Sequence, residues 1–321
     1  MNDIVLAADL GGTNLRMAAV SRNGEIHTRI KIATPKTNSS EDIVSVVTAA
    51  ARECISEIDT APKAVALAVP GTINSITRRI TQAPNIPQLN GFDLVGAVRA
   101  ELALPVTIEN DANAAAIGEN WLGASRKAET SIMVTLGTGV GGGIMIARKI
   151  VSGLDGTAGE IGHICVEPEG IPCGCGSHGC VEQYASATAL VRMARAAIKD
   201  EPSISGSNNM EINSALDVFE QANCGAGWAK KIFRTQGYYL GIVLAGLINC
   251  LNPEVIVIGG GAAAAWERFM PSLQEQVQIR AYDEAVARAK IVPAALGDNA
   301  GILGAARLGF EKSVSEVDVV V

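Results

Sequence analysis

The sequence is short of aromatic rings, of positive charge and of long apolar runs. Three Trp, four Tyr and five Phe among 321 residues are too few to build stacking platforms for single-stranded nucleic acid. Twenty-six Lys and Arg against 33 Asp and Glu leave a net charge of −7, so no nucleic acid or anionic membrane is expected as a partner. The opening MNDIVLAADLGG reaches Asp9 too early for a secretion signal, and the most apolar helical stretch, 237–248, covers only about half a membrane span. The phosphate loop G-x-x-x-x-G-K-[ST] is missing altogether. Cysteines number seven, an odd count, and three of them crowd into 173–180. Such crowding excludes a disulfide framework and points to metal ligation in a reducing compartment, so a cytoplasmic protein is expected.

What is present is enough apolar sequence, 48% of the chain, for two domains with substantial cores. Hydrophobic periodicity predicts an antiparallel meander of strands at 4–8, 15–20 and 24–34, then a helix from Ser39/Ser40 to about 58. A strand at 64–69, a polar loop from Gly71 through Asn85, a helix near 93–101 and a strand at 106–109 follow. A helix of small residues then ends near Trp121. The second part repeats the theme with a strand at 131–136, a glycine turn at 137–143 and a returning strand at 144–147. Beyond an irregular stretch at 152–179 come helices at 181–199, 213–221 and 228–251, separated by a polar break at 202–209. A strand at 255–258, glycines 259–261, a helix through Arg280, a strand at 290–293 and a helix at 300–310 complete the chain; the closing Val-Asp-Val-Val-Val is unassigned. Two related halves are expected, with a cleft between them. The boundaries are 1–110 plus the C-terminal helix at about 298–321 for the smaller domain, and 111–297 for the larger.

Three glycine clusters invite a phosphate. Asp9-Leu-Gly11-Gly12-Thr13-Asn14 sits between two strands; its glycines let bare N–H groups approach an anion, Thr13 and Asn14 add donors, and Asp9 can hold Mg²⁺ through water. The alternative is a plain hairpin turn. Gly137-Thr138-Gly139 opens the second turn, whose Gly137, Gly139 and Gly142 match the dinucleotide pattern G-x-G-x-x-G. That pattern needs a helix after the glycines, and a strand is predicted instead, which argues against a nicotinamide dehydrogenase. Gly259-Gly260-Gly261 follows a strand and serves either close packing or a flat floor for adenine.

Glu109-Asn110-Asp111-Ala112-Asn113 ends a buried strand and begins a helix. Asp111 is either its N-cap or a cleft-wall carboxylate able to take a proton from an alcohol, with Asn110 as an amide that can fix a hydroxyl. His163 together with Cys173, Cys175 and Cys180 supplies one imidazole and three thiolates, the donor set of a closed structural zinc site. His178 competes as a ligand but is expected to face solvent, and the scattered Cys54, Cys165, Cys224 and Cys250 read as unliganded thiols.

Taken together, DLGGT at 9–13, ENDAN at 109–113, LGTGVGGG at 136–143, AGEIGHI at 158–164, CGCGSHGCVEQYAS at 173–186 and the glycines at 259–261 resemble the ROK family of sugar kinases and sugar-responsive regulators. The resemblance covers essentially the whole chain. It implies an actin-like (ribonuclease H-like) α/β fold of two domains and a homodimer or higher homo-oligomer. It further implies that Asp111 is the general base activating a hexose 6-hydroxyl toward Mg-ATP. Sugar hydroxyls would be read by Gly71 (through its backbone), Asn85, Asn110, Glu160, His163 and Glu182. Asp9, Gly12, Thr13, Gly137, Thr138 and Gly260 would serve the nucleotide and its metal. The Pro-Asn-Ile run at 84–86, Glu160 and the cysteine loop are most similar to bacterial glucokinases, which makes glucose the expected acceptor. An N-acetylmannosamine or fructose kinase, or a sugar-binding regulator without catalysis, is the alternative. The regulators carry an N-terminal helix-turn-helix, for which a first turn at residue 9 leaves no room.

Overall fold

The computed structural model describes residues 3–200 and 211–315. The polar break at 202–209 and the whole of the closing 317–321 run lie outside the described residues. Two compact units emerge: the first comprises Met1–Glu129, Gly143–Gly159 and Ala295–Val321, the second Thr130–Gly142 and Glu160–Ala294.

In the first unit, strands β1 (Ile4–Leu10), β2 (Asn14–Ser21), β3 (Ile26–Ala33), β4 (Val65–Val69) and β7 (Val106–Asn110) form a sheet of order β3-β2-β1-β4-β7. The meander β1–β2–β3 is antiparallel, whereas β4 runs parallel to both β1 and β7. Side chains alternate across a strand, and the two faces are sorted by size. Ile4, Leu6 and Leu10 join Leu67 and Val69 against Ile43, Val47, Leu94 and Val98 of helices α1 (Ser40–Ser56) and α2 (Leu94–Leu102). The opposite face carries Ala7, Ala18, Ala64, Ala66 and Ala68, packed with Ala114, Ala305 and Ala306 of α3 (Asp111–Trp121) and α10 (Ala300–Ser315). That alanine face lets helices come close. A Cβ on Gly304 would lie 1.7 Å from the Ala114 carbonyl oxygen, and one on Gly118 2.2 Å from that of Ala300, so α3 and α10 meet backbone to backbone.

This packing explains why the boundary differs from the sequence expectation at 110/111. Helix α3 belongs to the first unit, because its small residues are the ones that admit α10. Segment 143–159, with the end of β9 (Val140–Ile146) and all of β10 (Lys149–Ile150), is also in the first unit. The loop expected between Gly71 and Asn85 contains a small hairpin, β5 (Thr72–Ile73) with β6 (Ile80–Gln82).

In the second unit, β8 (Ser131–Leu136) and β12 (Lys290–Pro293) flank β11 (Val255–Gly259) in parallel, within the sheet order β10-β9-β8-β11-β12. Both sheets therefore place a strand–glycine turn–strand element beside parallel strands, as expected of related halves. The helix predicted over 181–199 is interrupted: α4 (Glu182–Ala185) stops at extended Ser186, whose hydroxyl accepts from Ala189 N–H at the start of α5 (Ala187–Asp200). Beyond α6 (Ala215–Asn223), the long α7 (Gly227–Leu251) packs on α8 (Trp266–Arg280), which the short α9 (Asp283–Val286) follows. A Cβ on Gly237 would lie 2.1 Å from the Phe269 carbonyl oxygen. No helix among the described residues is long and apolar enough to cross a membrane.

Candidate active site

Asp9 is the penultimate residue of β1, and the antiparallel register sets Arg16 opposite it. The Arg16 guanidinium lies 3.6 Å from the Asp9 carboxylate and 3.1 Å from Asp298, so three charges meet where α10 begins. Burial pushes the Asp9 carboxyl above its ordinary 3.8, against the pull of Arg16. A cation would relieve that cost, as suits a Mg²⁺-facing carboxylate. The following turn is held from within by Gly11 N–H donating to Asn14 O at 2.9 Å. It is held from β3's end by Thr34, whose hydroxyl donates to Gly11 O at 2.6 Å. Thr13 and Gly12 are exposed at its tip. Gly12 lies directly against Asn85: a Cβ there would be 3.1 Å from the Asn85 carbonyl oxygen. The residue expected to read sugar thus adjoins the turn expected to meet phosphate.

At the end of β7 the helix cap is Asn110, not Asp111. The Asn110 side-chain oxygen accepts from Ala112 N–H at 2.9 Å and Asn113 N–H at 3.0 Å, in the extended conformation that suits an N-cap. Its amide donates one N–H to Gly71 O at 2.9 Å, so Asn110 acts as a bracket, and a second amide N–H is left with which to fix a hydroxyl. Gly71 has φ +107, and a Cβ there would collide with Gln82 O at 2.0 Å, which explains the glycine. Asp111 is therefore released from the capping role. It is the first residue of α3, exposed, with its carboxylate accepting from Ala112 N–H at 2.8 Å.

The second unit holds the remaining candidates. Gly137 N–H donates to Gly139 O at 3.0 Å to close the second turn, and Thr138 is exposed as Thr13 is in the first. The residues after the glycines form β9 and not a helix, so the dinucleotide pattern is a coincidence of spacing. Glu182 underpins this turn by accepting from Val140 N–H at 3.0 Å, while a Cβ on Gly139 would lie 2.3 Å from its carboxylate. Gly260, at φ +87, packs under the turn against Leu136 O, and Gly259 against Met133 and Ala294. Packing accounts for those two glycines, whereas Gly261 faces open space.

His163 ends a one-turn 3₁₀ helix, Ile161–His163, and uses its two nitrogens separately. Nδ1 is 3.7 Å from Cys173 Sγ, and Nε2 is 3.9 Å from the Glu160 carboxylate. Partial burial pushes the Glu160 carboxyl up, with His163 opposing and Glu182 adding to the rise. The Sγ atoms of Cys175 and Cys180 are 3.6 Å apart, and the donor atoms of His163, Cys173, Cys175 and Cys180 all fall within 4.8 Å of one another. A tetrahedral zinc with bonds of about 2.0–2.3 Å sets its ligand atoms roughly 3.4–3.8 Å apart, so this donor set fits the ion. Cys173 and Cys180 are buried, and Gln183 donates to Cys173 Sγ at 3.6 Å. His178 is exposed and outside the cluster.

Arg16, Thr34 and Asp298 were not singled out by the sequence reading. The strand pairing that faces residue 16 with residue 9 was the available signal for Arg16, while Asp298 arrives from the far end of the chain.

The sequence matches the ROK family over residues 5–312. It is 37% identical to a glucokinase of Halalkalibacterium halodurans over 306 residues, covering 93% of this chain and 92% of that protein. Its fold matches a ROK family glucokinase from Streptomyces griseus, solved with glucose and AMPPNP, with TM-score 0.82 and 34% identity over 96% and 99% of the two chains. A ROK family transcriptional regulator, a homologue of the E. coli MLC protein, matches at TM-score 0.87 and 26% identity, across 100% of this chain and 81% of that one. Family match, identity and fold agree with the motif reading, and the chain belongs to the ROK family.

Proposed function

We propose that the chain is an ATP-dependent hexose kinase that phosphorylates the 6-hydroxyl of glucose. The observation that carries the reading is the division of labour at the head of α3, where Asn110 caps the helix and Asp111 is left exposed. The glucokinase relatives supply the substrate class. Asp111 accepts the proton of the hydroxyl as its oxygen bonds to the γ-phosphorus and the bond to the ADP oxygen breaks. Help of this kind is worth about 10²–10⁴-fold, while positioning and charge neutralisation supply most of the remainder. Asn85, Asn110, Gly71, Glu160, His163 and Glu182 form the sugar-reading set. The turns at 9–14 and 137–139 and the glycines 259–261 form the nucleotide set. Mg²⁺, held near Asp9, neutralises phosphate charge when bound.

Zinc on His163, Cys173, Cys175 and Cys180 is architectural. It fixes the imidazole plane with Nδ1 inward, so that Nε2 is left to face Glu160 and a sugar oxygen. Cytoplasmic location, a role in glycolysis and a homo-oligomeric state belong to the same proposal. ADP release coupled to a reporter, with glucose, mannose, fructose and N-acetylmannosamine compared, tests the reading. Highest kcat/KM on glucose is expected, and absence of sugar-dependent ADP release would leave only a sugar-binding regulator.

A further inference from the structure

Cysteine 165 is the thiol that the zinc cluster leaves out. Among the other unliganded cysteines, Cys54 is buried and its thiol is pushed up to about 12 by desolvation, while Cys224 and Cys250 are exposed and belong to no His/Cys/carboxylate cluster among the described residues. Cys165 is exposed and sits directly across an antiparallel bridge from Cys180. The flanking bonds are Val166 N–H to Gly179 O at 2.8 Å and Val181 N–H to Ile164 O at 2.9 Å. They make 165 and 180 a non-hydrogen-bonded pair, the closer of the two antiparallel pairings. Such pairs have Cα atoms about 4.5 Å apart with both side chains on one face, inside the ~4.4–6.8 Å range that a disulfide spans. The face is the metal-ligating one, since Cys180 Sγ lies 3.6 Å from Cys175 Sγ.

We propose that Cys165 is an oxidation site, and that its product is a disulfide to Cys180 which takes that sulfur out of the His163–Cys173–Cys175–Cys180 cluster. The oxidant is a peroxide. The Cys165 thiolate attacks one peroxide oxygen, the O–O bond breaks, and a sulfenic acid and one water result after protonation. The Cys180 thiolate then attacks the Cys165 sulfur, and the hydroxyl leaves as a second water as the S–S bond forms. Two thiols lose two electrons to one peroxide. Three donors remain where four were, so the metal is released and His163 loses the partner that orients it. Release of metal rests on the zinc reading given above; the cross-link does not.

The test uses the full chain as purified, treated with hydrogen peroxide and digested after glutamate. That cleavage separates 161–169, which holds Cys165, from 170–182, which holds the three ligating cysteines. The expected product joins the two peptides through Cys180, zinc appears in solution in step with it, and a dithiol reverses both. Cys165→Ser forms no such product and loses zinc several-fold more slowly. The proposal is overturned if 161–169 stays free or carries only sulfinic or sulfonic acid, if disulfides form only within 170–182, or if Cys165→Ser loses zinc at the wild-type rate. None of these readouts involves glucose or ATP, and the metal content of untreated protein scores the zinc reading separately.

Discussion

Asn110→Ala removes two restraints at once from the segment that presents Asp111. The first is the cap, in which one side-chain oxygen serves the N–H groups of Ala112 and Asn113. Loss of an asparagine cap to alanine typically costs about 1 kcal/mol. The second is the amide bond to Gly71 O, worth about 1 kcal/mol for a half-buried pair. Together they predict a loss of about 2 kcal/mol, which for a unit of this size lowers Tm by roughly 4–8 °C. Asn110→Asp separates the two, because a carboxylate keeps the cap acceptor and loses the donor; it is expected to cost about half as much. In turnover, a small displacement of Asp111 is enough to lower kcat by about 10²-fold. Urea midpoints and initial rates on the three proteins measure both effects. An alanine variant with the wild-type midpoint, or an aspartate variant as destabilised as the alanine one, would refute the bracket.

Three further outcomes follow from other buried or clustered groups. Glu119 is fully buried and accepts from the N–H groups of Ala124, Ala295 and Leu296 at 2.7, 3.2 and 2.8 Å, tying α3 to the segment that leads into α10. Glu119→Ala strands those donors and is expected to cost roughly 3–5 kcal/mol in denaturant unfolding. Asp9 is held above its ordinary 3.8 by burial, so its ionised form opposes folding when no cation is present. The protonated acid favours the native state, and that contribution is full below 3.8 and fades as pH rises through the raised native value. Asp9→Asn should therefore unfold later than wild type in metal-free buffer at pH 7, with the gap narrowing toward acid, while losing Mg-ATP-dependent activity; a constant gap across pH would contradict the assignment. On the proposed zinc reading, treatment with a strong chelator should lower Tm and expose 160–183 to proteolysis, since structural zinc can carry about 10–16 kcal/mol in small sites. Unchanged melting and digestion in protein shown to be metal-free would count against it.

Local patterns carried most of the fold. The apolar runs at 4–8 and 64–69, together with the glycine turns between strands, point to the meander and its counterpart at 131–146. What depends on long-range packing was not legible. The membership of helix α3 in the first unit is decided by Gly304 and Ala114, nearly two hundred positions apart in the chain. The break at Ser186 is hidden in an otherwise helical pattern, and the β5–β6 hairpin is too short to show a period. At the site, the gathering of Cys173, Cys175 and Cys180 follows from their spacing, as covalent proximity brings 173–180 together. The competition between Asn110 and Asp111 for the cap was not, because either residue type can fill it. Neither was the service of Glu182 to the second glycine turn, where Val140 N–H lies 42 positions away.

The claim on which the chemistry turns is that the Asp111 carboxylate removes the hydroxyl proton. Asp111→Asn preserves shape and removes the base. The account predicts that calorimetry finds glucose bound as in the wild type while sugar-dependent ADP formation falls by about 10²–10⁴-fold. A variant that binds glucose normally and turns over at more than about one per cent of the wild-type rate would contradict it.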